Sequence, residues 1–369
     1  MGSDVNNSLS SPITAFRIIT GVTMKTESLR TVIPALLLSL SSTAAFAGME
    51  LQERKVPTPA GISTEFAQLF ENRVISPAIP VPNNTAEWLA LQAQFDAPGI
   101  KIAQQALERL DVTYEAKQFA GVDTFFVTPK NIAPEYKDKW LVHIHGGAFV
   151  FGGGESALRE AIWVANGLGA QVISVDYRQP PLHPFPAAID DAVAVWKELI
   201  KTQSPESTAI FGTSAGGNLT LATTLKLQEL DLPAPGALFV GTPSVDLKET
   251  SDSWLTMQGL DPLGQREGLI EGTFDVYAGG EALDNPLISP IYADIDEFPP
   301  TIFISGTRDL LLSDTVRMHR LLRSADVETD LHIYDGQSHG DYMSGILIDM
   351  PESEDAINEL GQFFNKHIN

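Results

Sequence analysis

From Trp140 onward, short apolar runs alternate with longer stretches whose apolar residues recur at helical spacing. Trp140–His145, Gln171–Val175, Thr208–Phe211, Gly236–Val240, Thr301–Ser305 and Leu331–Tyr334 are rich in Val, Ile, Leu and Phe. Runs this short, most of them apolar nearly throughout, read as strands buried on both faces. Between and after them, Ala157–Leu168, Ala187–Lys201, the stretch from Ala215, Asp314–Ser324 and Glu354–His367 read as helices. Strands alternating with helices predict an α/β fold, with a mostly parallel central sheet and helices on both faces. Upstream, Ile62–Val74 and Thr85–Leu110 are expected to be helical, with Pro77, Pro80 and Pro82 breaking the chain between them. Two edge strands are expected near Val112–Tyr114 and Thr124–Val127. The interval Pro243–Pro300 breaks the rhythm: it has aromatic and acidic residues but no clear strand. A long insertion inside a compact domain is usually functional, and a lid is expected here.

The start of the chain changes the picture of where the protein works. A short charged segment, Met24–Arg30, precedes the apolar, small-residue stretch Thr31–Phe46, and Ala45-Phe46-Ala47 is an A-x-A pattern. This predicts a secretory signal peptide, with the mature chain from about Gly48, residues 1–23 an upstream extension, and a periplasmic or secreted location. The apolar run is short and broken by Pro34, so no stable membrane span is expected. Residues 48–369 are then expected to form one domain, with a cap drawn from about 62–110 and from the insertion at 243–300. A net charge of -23 argues against nucleic acid and anionic membrane surfaces as partners. The chain has no cysteine, which excludes disulfides, thiol nucleophiles and cysteine-based metal sites.

The candidate chemistry centres on Gly212-Thr213-Ser214-Ala215-Gly216, a G-x-S-x-G between an expected strand and an expected helix. Such a sharp turn has room only for glycine on either side, and it lifts the serine hydroxyl above the sheet edge beside the first helical amides. Gly336-Gln337-Ser338-His339-Gly340 matches the same pattern, but a poor helix opening follows it, so Ser338 reads as a loop residue. Cleavage by serine needs a base, an acid that orients the base, and donors for an oxyanion. His145-Gly146-Gly147-Ala148-Phe149 follows a strand, where glycines let amides approach a ligand. Gly146, Gly147 and Ala148, with Ala215, are the expected oxyanion-hole residues. Asp309, after the Thr301–Ser305 strand, is the expected acid; Asp314 is the rival, but it lies where a helix N-cap is expected. His339, after the last strand, is the expected base. The other histidines have plainer readings: His143 lies mid-strand, His145 shapes the glycine loop, and His319 and His367 are expected to be solvated on helices. Phe149, Trp254, Phe274 and Tyr277 are candidate pocket walls, though a packed core accounts for aromatics equally well. Asp176, Tyr177 and Arg178 either contact substrate or form a buried polar network bracing the loops. The chemistry calls for no metal and no cofactor.

These motifs, in this order, resemble the hormone-sensitive-lipase-like esterases (bacterial acetylhydrolases and esterases) of the α/β-hydrolase superfamily. The resemblance rests on His145–Phe149, the D-Y-R…H-P-F-P-A-A stretch Asp176–Ala188, the elbow Gly212–Gly217, the segment Ser289–Asp309 and the loop Gly336–Gly340. It implies an α/β-hydrolase fold with an eight-stranded sheet and a helical cap. It also implies cleavage of small-molecule carboxylic esters of small acyl groups through an acyl-serine. Two positions depart from the family pattern: Thr213 stands where many members have Asp, and Leu182 stands where a carboxylate is usual. A lactonase, peptidase or acyltransferase on the same triad, or a ligand-binding homologue without turnover, remain alternative expectations.

Overall fold

The computed structural model describes residues 55–368 apart from 76 and 296, so the expected signal peptide and its cleavage site lie outside the described residues. In chain order the helices and strands are α1 (Thr64–Glu71), α2 (Thr85–Leu110), β1 (Val112–Phe119), β2 (Val122–Pro129) and β3 (Trp140–Ile144). Then follow α3 (Leu158–Leu168), β4 (Gln171–Val175), α4 (Ala187–Leu199), β5 (Ala209–Thr213), α5 (Ala215–Glu229) and β6 (Ala237–Gly241). Last come α6 (Asp252–Thr256), α7 (Leu269–Ala278), β7 (Thr301–Gly306), α8 (Leu312–Ser324), β8 (Thr329–Tyr334) and α9 (Pro351–His367). The strands form one sheet in the order β1-β2-β4-β3-β5-β6-β7-β8. β1 with β2 and β2 with β4 pair antiparallel; the pairs from β3 to β8 are parallel.

The two-residue period of a strand puts successive side chains on opposite faces, and both faces are covered. Val142, Ile210, Leu238 and Phe303 point into a core shared with α4, α5 and α8. Leu141, Phe211, Phe239 and Ile302 point into a second core shared with α3 and α9. This double burial explains why the central strands read as continuous apolar runs. The chain order reverses around β3, which has β4 on one side and β5 on the other. Open parallel sheets bind ligands outside the carboxyl ends of strands at such a reversal. The loop after β3 and the turn after β5 meet there.

Most element boundaries fall within a few residues of expectation, and the differences have local causes. α1 spans Thr64–Glu71 rather than Ile62–Val74. Ser63 caps it by accepting from Phe66 N, and the Ser63 hydroxyl and amide both donate to Glu352, so a contact with α9 fixes where the helix starts. α9 begins at Pro351 rather than Glu354, since proline at the first helical position gives up an amide that would have no partner anyway. α8 begins at Leu312, which puts Asp314 inside its first turn rather than at the cap. Its carboxylate reaches across to accept from Val245 N and Asp246 N, holding the segment that leaves β6. Burial pushes that carboxyl up to about 6, against the pull of the Arg317 charge and the Val245 amide. The His367 side chain is 9% exposed and packs on Phe363, and His319 packs edge-on against Phe303; neither is freely solvated. Among the described residues no helix is long and apolar enough to cross a membrane.

Candidate active site

The elbow is built where β5 turns into α5. Ser214 takes φ 64° and ψ -124°, a backbone conformation an L-residue holds only when its surroundings enforce it. The enforcement is steric. A Cβ on Gly212 would lie 2.2 Å from the carbonyl oxygen of Ile144, and one on Gly216 would lie 2.1 Å from the same atom. Only glycine lets β5 and the start of α5 press this closely on the end of β3. Ser214 N donates to Gly241 O at 2.8 Å, tying the turn to β6.

Thr213 is served by a carboxylate from another element. Its hydroxyl donates to Glu160 of α3 at 2.6 Å, and its amide donates to the same carboxylate at 3.1 Å. His143 Nε2 meets Glu160 at 3.1 Å, His143 Nδ1 meets Ser174 at 2.9 Å, and Tyr342 hydroxyl meets Thr213 at 2.6 Å. The group is buried, and a satisfied buried network of this kind fixes a single geometry for the turn above it.

The loop after β3 carries three consecutive positive φ values: Gly147 at 113°, Ala148 at 49° and Phe149 at 67°. Val150 N and Phe151 N both donate to Gly147 O, which closes the turn. Among the described residues the amides of Gly147, Ala148 and Ala215 donate to no other protein group, and all three residues border the same cavity as Ser214. Gly146 lies against the elbow, its α-carbon so close that a Cβ would stand 3.3 Å from that of Ser214. Below the loop, His145 stacks on Tyr177 with ring centroids 4.1 Å apart, and its Nδ1–H donates to Gly146 O. Burial pushes its pKa down to about 3, with the hydrogen bond to Gly146 opposing, so the ring is neutral and serves as a strut. Tyr177 hydroxyl donates to His145 O, Asp176 accepts from Gly154 N, and Arg178 pairs with Asp191. The Asp176–Arg178 stretch therefore forms a bracing network.

Asp309 and His339 meet at the ends of β7 and β8. Asp309 is fully buried. Its Oδ1 lies 3.3 Å from His339 Nδ1 and accepts from Leu311 N at 2.8 Å. Its Oδ2 accepts from the hydroxyls of Ser305, at 2.8 Å, and of Thr242. The Thr242 hydroxyl is also 3.2 Å from His339 Nδ1, so this residue, with φ 30°, bridges the carboxylate and the ring. Burial lowers the imidazole pKa, but the Asp309 hydrogen bond and the charges of Asp309, Asp261 and Asp341 outweigh it and hold the pKa above its ordinary value. The His339 ring makes no hydrogen bond to Ser214 Oγ among the described residues; both border one cavity, and such contacts tighten only around substrate.

That cavity has a volume of about 620 Å³. Phe149, Trp254 and Phe274 line it, with Leu263 and Leu269 from the 243–300 interval and Leu69 and Phe95 from the N-terminal helices. Tyr277 does not reach it; the ring stacks behind Phe149 at 4.0 Å. Thr242, Ser305, Glu160 and Asp261 carry no signal in the sequence. They are ordinary polar residues near strand ends, in a helix or in a loop, and no spacing marks them.

Ser338 is buried, and its hydroxyl accepts from Arg73. Arg73 also pairs with Asp341 at 2.6 Å, on the far side of His339. A guanidinium from just beyond α1 thus grips the loop that carries the histidine. Burial raises the Asp341 pKa, and Arg73 opposes the rise. Removing one partner of a mostly buried ion pair leaves a stranded charge. Arg73→Ala is therefore expected to destabilise the fold by about 3–5 kcal/mol, measured by urea unfolding.

Comparison with known proteins bears directly on this arrangement. Residues 141–343 match the family described as alpha/beta hydrolase fold. An esterase of Acinetobacter venetianus is 33% identical over 60% of this chain and 73% of its own. A putative acetyl-hydrolase, LipR, of Mycobacterium tuberculosis is 28% identical over 69% of this chain and 81% of its own. Among solved structures, esterase E25 superposes with a TM-score of 0.83 at 40% identity, covering 87% of this chain and 99% of its own. A hormone-sensitive lipase from a metagenome library gives 0.67 at 30% identity, covering 75% and 92%. With its sheet order, its strained serine turn and these relatives together, the chain belongs to the α/β-hydrolase family, in the branch that resembles hormone-sensitive lipase.

Proposed function

We propose that the protein is a carboxylic ester hydrolase that cleaves small acyl esters through an acyl-serine intermediate. The observation that carries the reading is the convergence on one cavity of Ser214, His339 backed by buried Asp309, and three amides without a protein acceptor among the described residues. His339 takes the Ser214 proton as Oγ attacks the ester carbonyl. Negative charge developing on the carbonyl oxygen is met by N–H groups of Gly147, Ala148 and Ala215, which stand ready before the reaction begins. His339 returns the proton to the leaving alcohol, then activates the water that releases the acid. The two segments outside the βα rhythm, 62–110 and 243–300, act as a cap whose apolar walls take the acyl and alcohol groups. The names of the relatives, esterase and acetyl-hydrolase, support this substrate class. Export by a signal peptide ending near Ala47 belongs to the same reading; N-terminal sequencing of the exported protein tests it.

The test of the chemistry is covalent labelling. A fluorophosphonate should modify the protein stoichiometrically, and peptide mass spectrometry should find the adduct on Ser214. p-Nitrophenyl esters of increasing acyl length should be hydrolysed with short chains preferred. An unlabelled protein, or an adduct on another residue, would falsify the assignment.

A further inference from the structure

We infer that Asp261 is a positioning residue for the catalytic pair, a third carboxylate that fixes the backbone of both loops carrying Asp309 and His339. The inference rests on the proposed function and goes one residue further into the same site. Asp261 lies between α6 and α7, in the 243–300 interval, and is fully buried. Its Oδ2 accepts from His339 N at 3.0 Å and from Leu310 N, the amide following Asp309, at 3.1 Å. Its Oδ1 accepts from Leu263 N at 2.8 Å. One carboxylate oxygen thus sets the spacing between the amide of the base and the amide beside the acid. The second oxygen anchors that junction to the cap.

The chemistry of the donor set fixes its state. Three backbone N–H groups point at the carboxylate, and among the described residues it has no acceptor for a carboxyl proton. It therefore acts as an anion. Burial raises its pKa, and the nearby Asp309 charge adds to the rise; the imidazole and the amides of Leu263 and His339 oppose it. Facing His339 are thus Asp309 from the loop after β7, Asp261 from the interval before α7, and Asp341 from its own loop, the last paired with Arg73. Asp261 contributes to the site in two ways: it places the ring through the main chain, and it stabilises the imidazolium that forms when Ser214 gives up its proton.

The experiment compares full-length wild type with Asp261→Asn and Asp261→Glu, following kcat and KM for p-nitrophenyl butyrate across pH together with thermal melting. Asn keeps the shape but removes the charge and turns an amide N–H₂ toward backbone donors. Removing a negative neighbour lowers the imidazole pKa, so the acidic limb of kcat/KM should move to lower pH. kcat should fall by up to about 100-fold with KM little changed, the scale expected of a small misplacement of a catalytic group. Glu keeps the charge but changes the reach, so kcat should fall while the limb stays near its wild-type position. If the Asn protein does not melt cooperatively, Asp261→Ser is read in the same way. A variant with a lowered melting temperature but wild-type kcat and an unmoved limb overturns the inference, since it reduces Asp261 to packing. Fluorophosphonate labelling of wild type separates the two levels. Label on Ser214 with no kinetic effect of Asp261→Asn refutes only the positioning role; absence of label removes the reading beneath it.

Discussion

Ser214→Ala is expected to lower kcat for p-nitrophenyl butyrate by on the order of 10⁶-fold, the scale seen when a nucleophile is removed from a cooperating set of catalytic residues. The melting temperature should not change. The strained backbone at Ser214 is imposed by the glycines at 212 and 216 pressing on β3, and its amide bond to Gly241 does not use the side chain. Alanine at 214 therefore keeps the same turn and loses only the hydroxyl. The amides of Gly147, Ala148 and Ala215 remain in place, so some rate above the uncatalysed reaction should survive through oxyanion stabilisation and binding alone. Activity near wild type would mean that another group attacks the ester. Ser338, the other serine in a G-x-S-x-G, is not available for that part: it is buried, and its hydroxyl is held by Arg73.

How far the sequence exposes this site depends on the range of the forces that build each part. The elbow is legible because its cause is local. A strand that bends into a helix within one residue needs glycine at 212 and 216, and both are written next to the serine. α2 is legible in the same way, with Asn84 capping its start and Asp111 in left-handed geometry closing its end, and its observed bounds equal those expected. The central strands are legible because burial on both faces makes them apolar over most of their length, with only scattered buried polar residues such as His143 and Ser174. Thr242 and Asp261 are not legible. Each acts on His339 from far along the chain, Asp261 from 78 residues away, and nothing in the residue type or its neighbours announces the partner. Asp314 shows the opposite error. Its position near a helix start suggests a cap, yet its carboxylate serves amides at 245 and 246, because the fold offers buried donors there that have no other acceptor among the described residues. Thr213 is likewise served from outside its own element, since the carboxylate next to it comes from Glu160 on α3.

Asp309→Asn is expected to reduce kcat by about 10⁴-fold, comparable to the loss when the orienting acid of a serine–histidine pair is amidated. The reason lies in the four donors around this carboxylate. Oδ2 receives hydroxyls from Ser305 and Thr242, and Oδ1 receives Leu311 N and faces His339 Nδ1. An asparagine has one acceptor and one donor, and whichever way it turns, its N–H₂ points at a donor. If the amide faces the ring, His339 must adopt the tautomer with a proton on Nε2, which cannot accept the proton of Ser214. If the amide faces the hydroxyls, Ser305 and Thr242 lose their acceptor, and the ring keeps only an uncharged oxygen at the Oδ1 position. In either orientation the imidazolium formed during attack has lost its nearest full negative charge. The pH profile should show this loss. With Asp309 neutral, the imidazole pKa falls, so the acidic limb of whatever activity remains should move to lower pH, while KM changes little because Asp309 is buried behind the ring and does not line the cavity. Thr242→Val in the same assay separates the two contributions: it removes the bridging hydroxyl but leaves the charge. A much smaller loss than that of Asp309→Asn, with the limb nearly unmoved, is the expected result. Equal losses in the two variants would mean that the carboxylate acts through the threonine and not directly on the histidine.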